Sequence, residues 1–138
     1  MPFTTTAQVR FADVDPAGIV FYPRYFEMLN GAVEDWFAQD LGMDFATMHL
    51  GHQIGVPTVK LETEFISPSR LGDHLDITID PINLGRTSCT IRVVFAGEGR
   101  VRLRAQVVLV CMDLTNHRPT EWPAGVRTAI DSGLVPAD

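Results

Sequence analysis

Lysine is nearly missing from this chain. Ten of its eleven basic residues are arginine, and Lys60 is the exception. Basic residues are in turn outnumbered by seventeen acidic ones, for a formal net charge of -6. A nucleic-acid binder normally shows a basic excess, so that class is disfavoured. The arginine bias leaves an anionic small ligand open, because a guanidinium fork suits phosphate oxygens. Cysteine is scarce as well. Cys89 and Cys111 lie in apolar, strand-like runs with no CxxC, and are expected to be buried reduced thiols. The four histidines, His49, His52, His74 and His117, show no metal-ligand spacing. The chain also lacks GxSxG, a P-loop and GxGxxG. No run approaches ~18 apolar residues and the N-terminus has no apolar signal core, so a cytoplasmic protein without membrane contact is expected. Repeats, linkers and low-complexity stretches are absent from the 138 residues, which suit a single domain over 1–138.

What is present reads as one strand, one long helix and a run of strands. Residues 4–13 are rich in Thr, Val and Phe, a strand signature broken by Asp15-Pro16-Ala17-Gly18. Pro23 fits the first position of a helix that Gly42 would stop. Phe26, Leu29, Val33, Trp36 and Phe37 recur at helical steps along one face. Gly31 in its middle implies close packing there. Residues 43–55 suggest a short helix or loop. From Pro57 the period becomes two. Strands are expected over 57–67, 73–80, 87–96 and 100–114, with turns at PSRLGD, PINLGR and GEGR. Arg102, Arg104 and Gln106 alternate with Val101, Leu103 and Ala105, which puts the three polar side chains on a wet face. From Val107 to Met112 both faces are apolar and need cover, one from the helix and the other from a second subunit. The tail around Trp122 suggests a short helix. Consecutive strands joined by tight turns, with one helix, define an α+β layer with a five-stranded antiparallel sheet.

The break after the first strand carries the chemistry. Asp13, Asp15 and Gly18 match the start of a calcium loop, but Ala17 and Arg24 stand where its fifth and twelfth positions need oxygen ligands, so no metal is expected. A carboxylate beside a helix start is the alternative. Helix N-termini carry unpaired N–H groups and partial positive charge, which suit a developing oxyanion. A carboxylate can then attack the carbonyl carbon or deprotonate water. Asp15 lies seven residues before Tyr22 at the helix boundary, and Gly18 permits close backbone approach.

The stretch FADVDPAGIVFYPRYF (11–26) resembles the signature of the 4-hydroxybenzoyl-CoA thioesterase family of hotdog-fold proteins. The similarity continues through GVPTVKLETEFISPSRLGD (55–73) and LGRTS (84–88), and spans roughly residues 7 to 130. It implies a sheet wrapped around one long helix, edge-to-edge homodimers that often pair into homotetramers, and an active site at the subunit interface. It implies hydrolysis of an acyl-CoA, with an aryl-CoA such as 4-hydroxybenzoyl-CoA favoured over aliphatic acyl-CoA or acyl-carrier-protein thioesters. Asp15 matches the catalytic carboxylate and the Tyr22 N–H the oxyanion donor. Gly18 and Tyr25 fall to substrate binding, and Arg86 to the nucleotide end of coenzyme A. Asp13 is assigned a structural role in the turn. No cofactor is required, since coenzyme A belongs to the substrate. A hydratase would need a catalytic His that the motif lacks, and a non-catalytic acyl-CoA binder need not keep Asp15 and Gly18.

Overall fold

A computed structural model describes residues 2–137. Strand β1 (Phe3–Gln8) leads through a 3₁₀ turn (Phe11–Asp13) to helix α1 (Pro23–Gln39). Then come β2 (Ile54–Gly55), β3 (Thr58–Phe65), β4 (His74–Leu84), β5 (Ser88–Gly97) and β6 (Arg100–Val110). The chain closes with β7 (Met112–Asp113), β8 (Arg118–Pro119) and helix α2 (Ala124–Ser132). An antiparallel sheet has the order β1-β4-β5-β6-β3, so β1 and β3 are its edges. A small sheet, β2-β7-β8, sits beside it.

The register explains the core. Ile77 pairs with Phe95, Ile79 with Val93, and Phe95 in turn with Leu103. These side chains share one face, and all are buried. Against them α1 lays Tyr25, Leu29, Ala32, Val33, Trp36 and Phe37, its buried stripe. Trp122, Val126 and Ile130 extend the core from the C-terminal segment, with the Trp122 ring 6.2 Å from Phe37. Among the described residues no helix is long and apolar enough to cross a membrane.

Several expectations are corrected. The first strand stops at Gln8, because Asp13 accepts a hydrogen bond from the Arg10 N–H (2.8 Å) and turns the chain. β4 continues through Pro81 to Leu84, absorbing the proline at a bulge. The final strand breaks at Cys111, and its last residues leave for the small sheet. Gly31 is exposed, and among the described residues nothing lies within 4 Å of where a Cβ would stand, so it marks no close packing within the chain. Arg102, placed on the wet face by alternation, is buried.

Candidate active site

Asp15 opens a tight hairpin. Its N–H donates to the Ile19 carbonyl (3.0 Å), and its own carbonyl accepts from the Gly18 N–H (2.9 Å). Val14 and Val20 bridge the two arms. Gly18 has φ +79°, the left-handed conformation the turn demands and glycine adopts without a Cβ penalty. Asp15 as a residue is half-buried, and its carboxylate hydrogen bond is at the surface. Its Oδ1 accepts the Ala17 N–H at 2.9 Å, and Oδ2 has no partner among the described residues. One oxygen therefore fixes the side chain and the other stays available.

Tyr22 caps α1. Pro23 follows at the first helical position, where a missing N–H costs nothing. The Phe21 N–H is satisfied by the Asp13 carbonyl (2.9 Å), and the Arg24 and Tyr25 N–H groups by Phe21 and Tyr22. The Tyr22 N–H has no hydrogen-bond partner among the described residues. An unpaired donor at a helix start is what a developing oxyanion needs.

Two cavities flank this corner. One of about 460 Å³ is lined by Asp15, Gly18, Pro16, Phe11, Val14 and Leu71. The other, of about 280 Å³, is walled by Ile19, Val20, Tyr22, Tyr25, Phe65 and residues 66–68. The return arm of the hairpin, residues 18–20, lies between them. In the single chain Asp15 thus opens on one cavity and Tyr22 on its neighbour. The second is strongly aromatic. Phe65 stands 6.2 Å from Tyr22 and 6.1 Å from Tyr25, ring to ring. The Tyr25 hydroxyl points away from the opening and donates to Ser69 Oγ (2.9 Å) in the interior.

Arg86 lies elsewhere. It sits on the β4–β5 turn, pairing with Glu121 at 3.1 Å on the surface. The Asp15 hairpin is tied to residues 69–71, just before β4 begins. The eleven residues of β4 then span roughly 35 Å at about 3.3 Å each. Within one chain, therefore, Arg86 and Asp15 occupy opposite ends of the sheet.

Alternation alone did not reveal the loop behind the site. Buried Arg102 donates to the Pro68 carbonyl (3.1 Å), the Gly97 carbonyl (3.1 Å) and Asp73 Oδ2 (2.8 Å). The Arg102 hydrogen bond and the Arg70 N–H hold the Asp73 carboxyl below the usual carboxylate range. The signal available was the turn chemistry of PSRLGD, where an Asp folds back on the backbone N–H three residues earlier. No histidine enters the site: His52, His74 and His117 are exposed, and His49 Nδ1 lies 2.8 Å from the Phe45 carbonyl. Burial pushes Cys89 up to about 12 and Cys111 up to about 11, so neither is a ready thiolate. Among the described residues no cluster could hold a metal ion.

A five-stranded antiparallel sheet packed on helix α1, with the Asp15 hairpin leading into that helix, is the arrangement of a hotdog-type fold. Residues 9–130 match the pattern of the thioesterase-like superfamily, and the chain belongs to that family. The 1,4-dihydroxy-2-naphthoyl-CoA hydrolase of Thermosynechococcus vestitus is 31% identical over 126 residues, covering 88% of this chain and 86% of the relative. A gentisyl-coenzyme A thioesterase superposes with a TM-score of 0.83 at 27% identity, over 93% of this chain and 99% of that one. The crystal structure of a 1,4-dihydroxy-2-naphthoyl-CoA thioesterase from Synechocystis gives a TM-score of 0.85 at 23% identity, over 95% and 96%, and shares the fold. The family match is thus broader than the 4-hydroxybenzoyl-CoA resemblance.

Proposed function

We propose that this thioester hydrolase cleaves an aryl-CoA to the free aromatic acid and coenzyme A. The observation that carries the reading is a free Asp15 carboxylate oxygen on the hairpin that leads into α1, together with the unpartnered Tyr22 N–H at that helix's start, the two opening on adjacent cavities. The aromatic walls of Tyr22, Tyr25 and Phe65 favour a ring in the adjoining cavity. Relatives named for dihydroxynaphthoyl and gentisyl thioesters point to a hydroxylated aryl group, with 4-hydroxybenzoyl a single-ring candidate beside gentisyl.

The thioester oxygen accepts from the Tyr22 N–H, which stabilises the negative charge that builds on it. Asp15 acts in one of two ways. As nucleophile, Oδ2 adds to the carbonyl carbon, the C–S bond breaks, and the thiolate leaves an anhydride that water opens. As base, it takes a proton from water, the hydroxide adds, and the thiolate departs with a proton. Both routes balance with water alone. The site is completed by a second subunit pairing on the β3 edge, and further assembly to a tetramer is compatible with it.

The test is thiol release from a panel of benzoyl-, hydroxybenzoyl-, dihydroxynaphthoyl- and alkyl-CoA thioesters. Asp15→Asn should lower aryl-CoA turnover at least ~100-fold with the fold intact, comparable to losing an oxyanion donor. Full activity in that variant would remove Asp15 from the mechanism. Turnover confined to alkyl-CoA would remove the aryl assignment.

A further inference from the structure

We propose that the hydroxyl of Tyr25 is a positioning group, holding the α1 start and the Asp15 hairpin in register through Ser69. The proposal rests on the reading above, in which Asp15 and the Tyr22 N–H act on one thioester.

Tyr25 is three residues into α1 from Tyr22, so the helix fixes its place relative to the Tyr22 N–H. Its side chain is buried, and its hydroxyl donates to Ser69 Oγ at 2.9 Å. Ser69 is fully buried. A hydroxyl committed in this way is not free to meet substrate, even though the Tyr25 ring lines the aromatic cavity. The strip around Ser69 grips the hairpin with its backbone. The Ser69 carbonyl accepts the Val20 N–H (2.9 Å), and the Leu71 N–H donates to the Gly18 carbonyl (3.2 Å). A short chain of hydrogen bonds therefore runs from the helix start to the return arm of the turn that carries Asp15.

The strip has other anchors, and they lead to the sheet. Arg102 holds the Pro68 carbonyl and Asp73, and the Gly72 N–H donates to the Val9 carbonyl (2.9 Å). Loss of the Tyr25–Ser69 bond leaves those anchors intact, along with the Phe21 N–H bond to the Asp13 carbonyl at the base of the hairpin, but removes the side-chain tie that holds the first turn of α1 to the loop. The nucleophile and the oxyanion donor then lose one of the constraints on their separation. Misplacement on the scale of an ångström costs on the order of 100-fold in rate. Substrate binding, spread over the whole CoA, is little changed.

The experiment compares wild type, Tyr25→Phe, Ser69→Ala and the double variant, with kcat and KM measured on the best aryl-CoA. Both substitutions keep the packing volume. Thr5→Val serves as a control: it removes a hydrogen bond to Asp35 elsewhere on the same helix (3.1 Å) and should leave kcat unchanged. The expected result is a drop in kcat of about 10- to 100-fold in each single variant, KM within about twofold, and a double variant no worse than the poorer single. Unchanged kcat in the folded variants overturns the proposal. So does a raised KM at constant kcat, which would make the hydroxyl a substrate contact. Multiplicative losses, or an equal loss in Thr5→Val, also overturn it. Should Tyr25→Phe fail to fold, Ser69→Ala decides on the same kcat criterion. A wild type inactive on every thioester sinks the hydrolase reading and this proposal together, whereas an active wild type with unaffected variants sinks this proposal alone.

Discussion

Asp73 and Arg102 show how much can hang on one residue behind a site. The Arg102 guanidinium is buried, and Asp73 is its carboxylate partner, with two backbone carbonyls completing the set. Asp73→Asn keeps the shape and removes the charge. Breaking a buried pair from one side costs about 3 kcal/mol at the low end, which applies here because both carbonyls remain. The pH dependence has a definite sign. The folded-state pKa of Asp73 lies below its ordinary value, so the ionised form contributes stability above the unfolded carboxylate pKa, around 4. That contribution is lost as pH falls through the lowered folded value. Chemical denaturation should therefore show a wide gap between wild type and Asp73→Asn at pH 7, narrowing below about pH 4. A gap independent of pH would mean the pair contributes no charge-linked stability. At this scale the sequence was unevenly legible. The Asp15 turn announces itself, because Asp, Pro and Gly have strong backbone preferences. Arg102 does not, because its burial depends on a bulge between Phe95 and Ala96 and on a loop from another part of the chain.

Helix α1 is the element most fully written into the sequence. Pro23 starts it, and the apolar stripe from Leu29 to Phe37 faces the sheet. Its weak point is Gly31, exposed and, among the described residues, without a neighbour where a Cβ would be added. Gly31→Ala should accordingly raise stability by about 0.5–1 kcal/mol through helix propensity alone, with turnover unchanged. Thermal unfolding checks the first part and thiol release the second. A destabilised variant would mean that a partner packs on that face. The strands of the five-stranded sheet were legible in number and in pairing sense but not in extent. Pro81 reads as a turn residue, yet tertiary pairing carries β4 past it at a bulge, and Pro81 is buried opposite Ile91. The small β2-β7-β8 sheet left no periodic trace, because its strands are two residues each.

Seen whole, the chain has one flank that its own residues leave open. β3 is an edge strand of eight residues, and Val59, Leu61 and Phe65 are 58%, 41% and 52% exposed on the face that carries the core elsewhere. The register puts Leu61 opposite buried Val107 and Phe65 opposite buried Leu103, so these side chains continue the core outward beyond α1. An exposed, apolar, unpaired edge is a template for another strand. A second copy pairing antiparallel along β3 would cover it, and a two-fold axis there reverses the sheet ends. That reversal matters for Arg86, which lies at the opposite end of its own sheet from Asp15 and is better placed to serve a substrate held partly by another subunit. The period-two pattern from Pro57 foretold the strand. It could not say that the apolar face would be left uncovered by its own chain, since that depends on where α1 ends its reach. Sedimentation of the wild type should therefore give at least twice the 15.3 kDa chain mass. Leu61→Asp, which sets a charge on the apolar edge of each subunit, should shift it toward monomer and cut turnover by at least tenfold, because like charges brought face to face in a desolvated contact cost several kcal/mol. A wild type that is monomeric and fully active would detach the chemistry from the edge. An oligomer that survives Leu61→Asp would place the contact on another face, and the outer side of β5 and β6, where Val94, Val108 and Val110 are half-buried among charged neighbours, would be the next to probe.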